Sequence, residues 1–209
     1  MYKIMATIIL ITLFISGCSS SNLGAEHNNS NEQVPSNNNQ LPVEGTDPQQ
    51  TVTEVIDLLK NKDFPRLAAY VHPTEGVRFS PYGHVNTETD VTMQANIIQN
   101  AIEDEGILDW GSYDGSGESI DLTFADYYDK FIYSHDFVNA DQVGYNTIIG
   151  TGNTINNATE VYPDSYIVEY HFKGTEANNY MDWSSLKIVL VELDRDWVIV
   201  GIIHDQWTI

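Results

Sequence analysis

Helical periodicity of apolar residues begins near residue 50 and continues to residue 71. Asp47 followed by Pro48 is a typical helix start, and Asp63 precedes a second helical segment. His72 ends the pattern, because a residue before proline is disfavoured in the helical region. The pattern predicts two N-terminal helices, whose buried faces carry Val52, Val55, Ile56 and Leu59, then Phe64, Leu67, Ala68 and Val71.

The middle of the chain mixes extended and helical patterns. Residues 76–85 are rich in β-formers but contain Pro81 and Gly83, which predicts a strand that breaks or bulges. Apolar residues at helical spacing predict a helix over residues 90–105. Residues 107–113 are interpreted as a further strand, which runs into a glycine-rich turn.

The C-terminal third alternates apolar and polar residues. Before it, Thr123 precedes a helical pattern and predicts an N-cap, while the Gly/Asn-rich residues 144–157 predict an irregular loop. Ser165–Lys173, Ser185–Leu193 and Trp197–His204 are predicted strands joined by short connections, so they should be antiparallel neighbours. The last is apolar on both faces and should be central. The fold class is therefore α+β, with N-terminal helices on a curved, mostly antiparallel sheet.

The chain starts with a short basic and apolar segment. Lys3 is followed by the largely apolar Ile4–Ile15, twelve residues where a membrane-spanning helix needs about 20 and a signal peptide about 7–15. Residues 1–17 are therefore predicted to be an export signal. Residues 18–50 are rich in Asn, Ser and Gln without any aromatic residue, which predicts a disordered tether. Residues 51–209 are predicted to form one globular domain.

The residues around the cysteine carry a specific motif. Ile15, Ser16, Gly17 and Cys18 resemble the bacterial lipobox. The resemblance implies cleavage between Gly17 and Cys18 and acylation of Cys18, which anchors the protein stably in a bilayer. It also implies a location at the extracytoplasmic face of the cell membrane, with the lipid bilayer as a partner. The alternative is an ordinary secretory signal that contains a cysteine.

Two further resemblances concern the folded part. The split helix ending at Val71, His72 and Pro73, and a terminal strand from Trp197 to Trp207, resemble the nuclear-transport-factor-two-like (cystatin-related) fold. That resemblance implies a curved sheet that wraps a helix and forms a cone with a cavity. The segments GVRFSPY, YDGSGESIDLTF and GIIHDQWTI are similar to a group of uncharacterised lipoproteins of Gram-positive bacteria, and this similarity implies no activity.

Charge and cysteine content exclude several classes of protein. Asp and Glu number 30 against 9 Lys and Arg, giving a net charge of −21, so no basic patch for nucleic acid is expected. The single cysteine excludes a disulfide framework and a cysteine-rich zinc site. No cofactor motif is present, and we expect no cofactor.

Several residues are candidates for a pocket. The group His72, Arg78, Tyr82 and His84 should lie near the cavity mouth of a cone, where Arg78 would bind a carboxylate or phosphate. Alternatively, Arg78 forms an internal ion pair that orders its loop. His204 and Asp205 suggest an acid–base pair, although neighbouring strand residues point to opposite faces. The alternative for them is a strand end with a partly exposed histidine and a solvated aspartate.

Aromatic and acidic residues add two weaker candidates. Trp183 and Trp207 lie near strand ends and are candidates for stacking on sugars, whereas most other aromatic residues should be core. Asp114 and Glu118 flank a flexible turn whose oxygens suit calcium, but the spacing fails the EF-hand pattern. The alternative for that turn is a tight turn without metal.

Three functions remain open. The preferred one is a non-enzymatic lipoprotein that binds a small ligand or an envelope protein. The second is an extracytoplasmic enzyme that uses His72 or His204 with an aspartate, although no catalytic motif identifies its residues. The third is a structural accessory factor of the cell envelope.

Overall fold

The first helix, α1 (Pro48–Lys60), opens the folded part of this computed structural model, which describes residues 45–208. Asp47 caps it by accepting a hydrogen bond from the Gln49 N–H at 2.9 Å. The predicted helix face is buried. The helix begins inside the segment 18–50, so regular structure starts earlier than the predicted domain boundary.

A shorter helix, α2 (Phe64–Leu67), follows a break in the chain. Asp63 caps it by accepting a hydrogen bond from the Arg66 N–H at 3.3 Å. The chain then forms a 3-10 turn over Ala68–Tyr70 and leaves helical geometry. Both predicted segments are therefore helical, and the second ends in a tighter turn.

Eight strands form two sheets. Their bounds are β1 (Val77–Ser80), β2 (Thr92–Met93), β3 (Leu108–Ser112), β4 (Ser119–Leu122), β5 (Gln142–Tyr145), β6 (Tyr166–Phe172), β7 (Ser184–Leu193) and β8 (Asp196–Gln206). The main sheet has the order β2-β1-β8-β7-β6-β5, while β3 and β4 form a separate antiparallel hairpin. The fold class is α+β, as predicted.

Strand directions place the last two strands in the middle of the main sheet. All neighbours are antiparallel except β1 and β8, which are parallel with Arg78 opposite Gly201. The register of β7 and β8 shifts between Val189 and Leu190, and such an irregularity bends a strand pair. The predicted antiparallel C-terminal strands and the central position of the last one are confirmed.

Residues 90–105 do not form the predicted single helix. They contain β2, a short helix α3 (Ala95–Ile98) and a 3-10 turn over Ala101–Glu103. Two tertiary contacts compete with the helix: Met93 pairs with Val77 of β1, and the Asp90 carboxylate is hydrogen-bonded by the preceding loop. Strands β4 and β5 were also not indicated by the sequence pattern.

The aromatic segment after β4 is helical, as predicted. Thr123 caps α4 (Phe124–Tyr127) by accepting a hydrogen bond from the Asp126 N–H at 3.1 Å. The chain continues as a wider π-type turn over Tyr128–Ile132. This segment and the N-terminal helices cover one face of the main sheet. The core between them includes Phe79, Trp110, Val168, Leu186, Ile188 and Ile202.

The opposite face of the main sheet is also covered. Residues 146–162, which include the short helix α5 (Ala158–Val161), lie over it. The apolar core between this face and the residues that cover it consists of Val85, Ala158, Ile167, Val189, Val200 and Ile203. Because both faces are covered, polar residues on the second face are removed from water. Within residues 45–208, no helix has the length and apolarity needed to cross a bilayer.

Candidate functional site

A cleft of about 630 Å³ opens where three separate segments meet. They are the loop after β1, the β3–β4 hairpin with its turn, and residues 153–154 of the loop over the second sheet face. Polar side chains from all three segments converge there, and converging polar groups are what orient a small ligand in a binding site. The main contributors are Tyr82, His84, Asn86, Thr89, Asp90, Ser112, Tyr113, Asp114, Asn153 and Thr154.

Trp110 forms the buried floor of the cleft. Its ring stacks on Tyr127 with centroids 3.7 Å apart, and its Nε1–H donates to the Leu122 carbonyl oxygen at 2.9 Å. Both rings are buried, so the floor is rigid and apolar. The indole itself is 0% exposed, so a ligand in the cleft would meet the polar groups of the walls above it.

Two tyrosines contribute to the wall of the cleft. Tyr82 is half-buried and packs edge-on against Phe131 at 5.9 Å. Burial raises the pKa of its hydroxyl, partly offset by a hydrogen bond from the Asp114 backbone. The Tyr113 hydroxyl accepts a hydrogen bond from Lys130 Nζ at 2.9 Å, and the same ammonium lies 4.3 Å from the ring centroid. Because its pKa is raised, the Tyr82 phenol stays a neutral donor or acceptor at physiological pH.

Asp90 is the most enclosed acidic group of the cleft. Its Oδ2 accepts hydrogen bonds from the Ser80 hydroxyl at 2.5 Å and from the Asn86 N–H at 2.9 Å. Burial raises the pKa of this carboxyl, and the two hydrogen bonds oppose that rise. These contacts hold the loop after β1 against the sheet and fix its cleft-facing side.

Arg78 orders the same loop from behind. Its Nη1 donates to the carbonyl oxygens of Thr87 and Asp90, both at 3.2 Å. The guanidinium is thus engaged by main-chain carbonyls and does not line the cleft. Arg78 thus orders its loop through hydrogen bonds to carbonyl oxygens, where the predicted alternative was an ion pair.

Asp114 connects two walls of the cleft. Its Oδ2 accepts a hydrogen bond from the Thr154 hydroxyl at 3.5 Å, and its Oδ1 accepts one from the Gly115 N–H at 3.1 Å. Glu118, the other half of the predicted calcium turn, is exposed and does not line the cleft. Among residues 45–208, no three His, Cys, Asp or Glu side chains converge in a metal-binding arrangement.

The charge of the cleft has one sign. Two aspartates line it, and among its described lining residues there is neither a lysine nor an arginine. The whole chain carries a net charge of −21. Electrostatics therefore disfavour an anionic ligand and favour a neutral or cationic one.

The other predicted pocket residues are divided between the cleft and the fold. Tyr82 and the exposed His84 line the cleft. His72 does not: it is buried, and its Nδ1 accepts a hydrogen bond from the Glu75 N–H at 3.0 Å, which stabilises a turn. Trp183 is buried beside His171, with ring centroids 5.8 Å apart, and Trp207 is partly exposed. Neither tryptophan lines the cleft.

His204 and Asp205 lie on opposite faces of the sheet, as strand geometry predicts. Both are buried, so the alternative of a partly exposed histidine and a solvated aspartate is wrong. His204 Nδ1 lies 3.1 Å from the Pro81 carbonyl oxygen, its ring packs against Phe131 at 5.5 Å, and burial lowers its pKa to about 4. His204 is therefore a neutral core residue at pH 7.

Asp205 belongs to a buried charged group that we call the charged trio: Glu169, Lys187 and Asp205. Lys187 Nζ lies 2.6 Å from Asp205 Oδ2 and 3.9 Å from Glu169 Oε1. The side chains of Glu169 and Lys187 are fully buried, and that of Asp205 is 5% exposed. Burial raises the pKa of the Asp205 carboxyl, while the neighbouring ammonium opposes this.

Two members of the trio and several cleft residues were not identified from the sequence. Glu169 and Lys187 alternate with apolar residues on β6 and β7, a pattern that normally indicates a solvated strand face. Asp90, Tyr113 and Asn153 come from segments whose contact depends on tertiary structure. The available signal was the Gly/Asn-rich composition of residues 144–157, which predicts a loop but not the surface that it covers.

Comparisons with known proteins leave the family open. No family model matches the chain, and no curated protein matches it. One similar solved structure has a name that begins Rd1NTF2_05; it is 10% identical, with a TM-score of 0.28, over 75% of this chain and 95% of that chain. A similarity of that size carries no argument about function, and the α+β description rests on the strands and helices themselves.

Proposed function

We propose that this protein is a non-enzymatic, lipid-anchored binding protein whose cleft takes a small polar ligand. The observation that carries the proposal is the convergence of polar groups from three segments over the Trp110 floor. The positions of His204 and Asp205 support binding over catalysis. The two side chains face opposite sides of the sheet, and neither lines the cleft. His72 is engaged in a turn.

The ligand class follows from the lining of the cleft. Amide, hydroxyl and carboxylate groups suit a neutral or cationic molecule with several hydroxyl or amino groups. The faces of Tyr82 and Tyr113 add surface for an apolar or cationic part of the ligand. Anionic compounds are disfavoured by Asp90 and Asp114.

The cleft is tested by titrating the full chain with neutral sugars, ammonium compounds and carboxylates in a thermal-shift assay. A neutral or cationic probe should raise the unfolding midpoint, since a ligand at about 100 times its Kd adds about 2.7 kcal/mol. Tyr82→Ala or Asp114→Asn should weaken that binding by at least about tenfold. Tyr180→Ala, an exposed residue outside the cleft, is the matched control.

Two results would contradict the binding proposal. If a probe binds with equal affinity to all three variants, its site lies elsewhere. If no probe shifts the midpoint of the folded protein, the role of a structural accessory factor is favoured instead.

The anchor is a separate part of the proposal. Cys18 and Gly17 lie outside the described residues, and the lipobox resemblance supports acylation at Cys18. We expect Cys18→Ser to move the protein from the membrane fraction to the soluble extracytoplasmic fraction, because the diacyl group is then lost. Fractionation followed by immunodetection measures this, with Ser20→Ala as the control. Unchanged membrane association of Cys18→Ser would contradict the proposal of a lipid anchor at Cys18.

We also propose that the domain is a variant of the nuclear-transport-factor-two-like cone. The order of elements supports this: two helices, the β1–β2 pair, then antiparallel strands that end with β8 beside β1. The irregularity between β7 and β8 supplies curvature. The β3–β4 hairpin is an addition to this plan, and it forms one wall of the cleft.

A further inference from the structure

The charged trio lies on three adjacent strands of the main sheet. Glu169 on β6 is directly opposite Lys187 on β7. Asp205 on β8 is opposite Ser185, so it is the diagonal neighbour of Lys187 on the same face. Central strands hold these backbones in fixed register, and the three side chains are therefore presented to one another without a mobile loop.

The surroundings of the trio exclude water. Residues 149–150 cover Glu169, whose Oε2 accepts a hydrogen bond from the Ile149 N–H at 2.7 Å and whose Oε1 accepts one from the Gly150 N–H at 2.9 Å. Gly83 covers Asp205 so closely that a Cβ on this glycine would lie 2.6 Å from Asp205 Oδ2. Lys187 Nζ is thus enclosed with two carboxyl groups, at a high desolvation cost for all three charges.

We propose that Lys187 and Asp205 form an intramolecular isopeptide bond, with Glu169 as the group that carries protons between them. The lysine nitrogen and the aspartate carboxyl are already in contact at 2.6 Å. Such fixed proximity replaces an encounter between two molecules and removes much of the barrier to amide formation. The Lys187 side chain is fully buried and that of Asp205 is 5% exposed, so bulk water has little access to the two reacting groups.

The reaction balances without any co-reactant. Proton transfer within the ion pair gives a neutral amine on Lys187 and a neutral carboxylic acid on Asp205. The Nζ lone pair attacks Cγ of Asp205, Glu169 accepts a proton from Nζ, and the same proton passes to the departing hydroxyl. An Nζ–Cγ bond forms, a Cγ–O bond breaks, and one molecule of water is released.

Glu169 is placed for this role by its hydrogen bonds. Two backbone N–H donors hold its carboxylate in place on the Lys187 side of the sheet. Its Oε1 lies 3.9 Å from Lys187 Nζ, so a small side-chain shift completes the contact. The trio is flanked on this face by the apolar Val189 and Ile203, and by Ser185 and His171, which hydrogen-bond each other at 2.8 Å.

The experiment is a tryptic peptide map of the purified full chain by tandem mass spectrometry. Trypsin does not cleave after an acylated lysine. The expected product is therefore a branched peptide in which residues 174–195 are joined to residues 196–209, with a mass about 18 Da below their sum because water is lost. Fragment ions should place the link at Lys187 and Asp205. This readout does not depend on the N-terminal lipid or on the proposed ligand.

Two variants test separately whether the bond forms and whether Glu169 promotes its formation. Asp205→Ala should give no branched peptide, and Glu169→Gln should lower the branched fraction by at least about tenfold in protein that retains native circular dichroism. A wild-type digest that contains separate peptides 174–187 and 188–195 without the branched product overturns the proposal, even if every variant fails to fold. An undiminished branched fraction in folded Glu169→Gln overturns the role of Glu169.

Discussion

Lys187→Met should lower the free energy of unfolding by at least about 3–5 kcal/mol. The substitution leaves Glu169 and Asp205 as buried carboxyl groups without the ammonium that lies 2.6 Å from Asp205 and 3.9 Å from Glu169. Removing one partner of a buried charged group is far more damaging than replacing the whole group by apolar residues. Loss of the proposed isopeptide bond would increase the effect.

Lys62→Met is the matched control for this prediction. Lys62 also pairs with an aspartate, Asp129, at 2.9 Å, but their side chains are 45% and 68% exposed. Exposed ion pairs contribute at most about 1 kcal/mol, so the control should remain close to the wild type. Denaturant unfolding followed by tryptophan fluorescence measures both variants. A Lys187→Met protein as stable as the control would show that the trio does not hold the sheet together.

Acidification should destabilise the fold through His204. Burial lowers its folded-state pKa to about 4 from the ordinary value of 6.5. Between those two values the unfolded chain binds a proton that the folded chain does not, so the free energy of unfolding falls as the pH falls. The interval between the two pKa values corresponds to about 3 kcal/mol of unfolding free energy. This contribution is fully present above pH 6.5 and is lost below pH 4.

The measurement is the pH dependence of the unfolding free energy for the wild type, His204→Gln and His84→Gln. His204→Gln should lose less stability between pH 7 and pH 4 than the wild type, by about 3 kcal/mol. His84 is exposed, so His84→Gln should keep the wild-type slope. Parallel slopes for all three proteins would mean that the pKa of His204 is the same in the folded and unfolded states, which would contradict the prediction.

Regular elements with local signals were predictable from the sequence. Asp47 and Pro48 set the start of α1, and the spacing of Val52, Val55 and Ile56 defined its buried face. The alternation in β6 identified the strand, because Val168 and Tyr170 pack in the core on the helical side. In these places, local preference and tertiary packing agree.

The second sheet face could not be predicted in the same way. Glu169, His171 and Lys187 occupy positions that alternation assigns to solvent, yet all three are buried. Their burial comes from residues 146–162, which cover the face without a periodic pattern of their own. Likewise, Asp90 was placed in a helix because spacing alone does not reveal its hydrogen bonds to Ser80 and Asn86.

The position of β8 also constrains the order in which the sheet is completed. Arg78 and Gly201 pair although more than a hundred residues separate them, and β8 inserts between β1 and β7. Contacts so distant in sequence slow folding, because a long loop must be closed before they form. A chain emerging from the ribosome would therefore expose the edges of β1 and β7 until β8 is synthesised, and a nascent chain halted before Asp196 would remain open at the centre of its sheet.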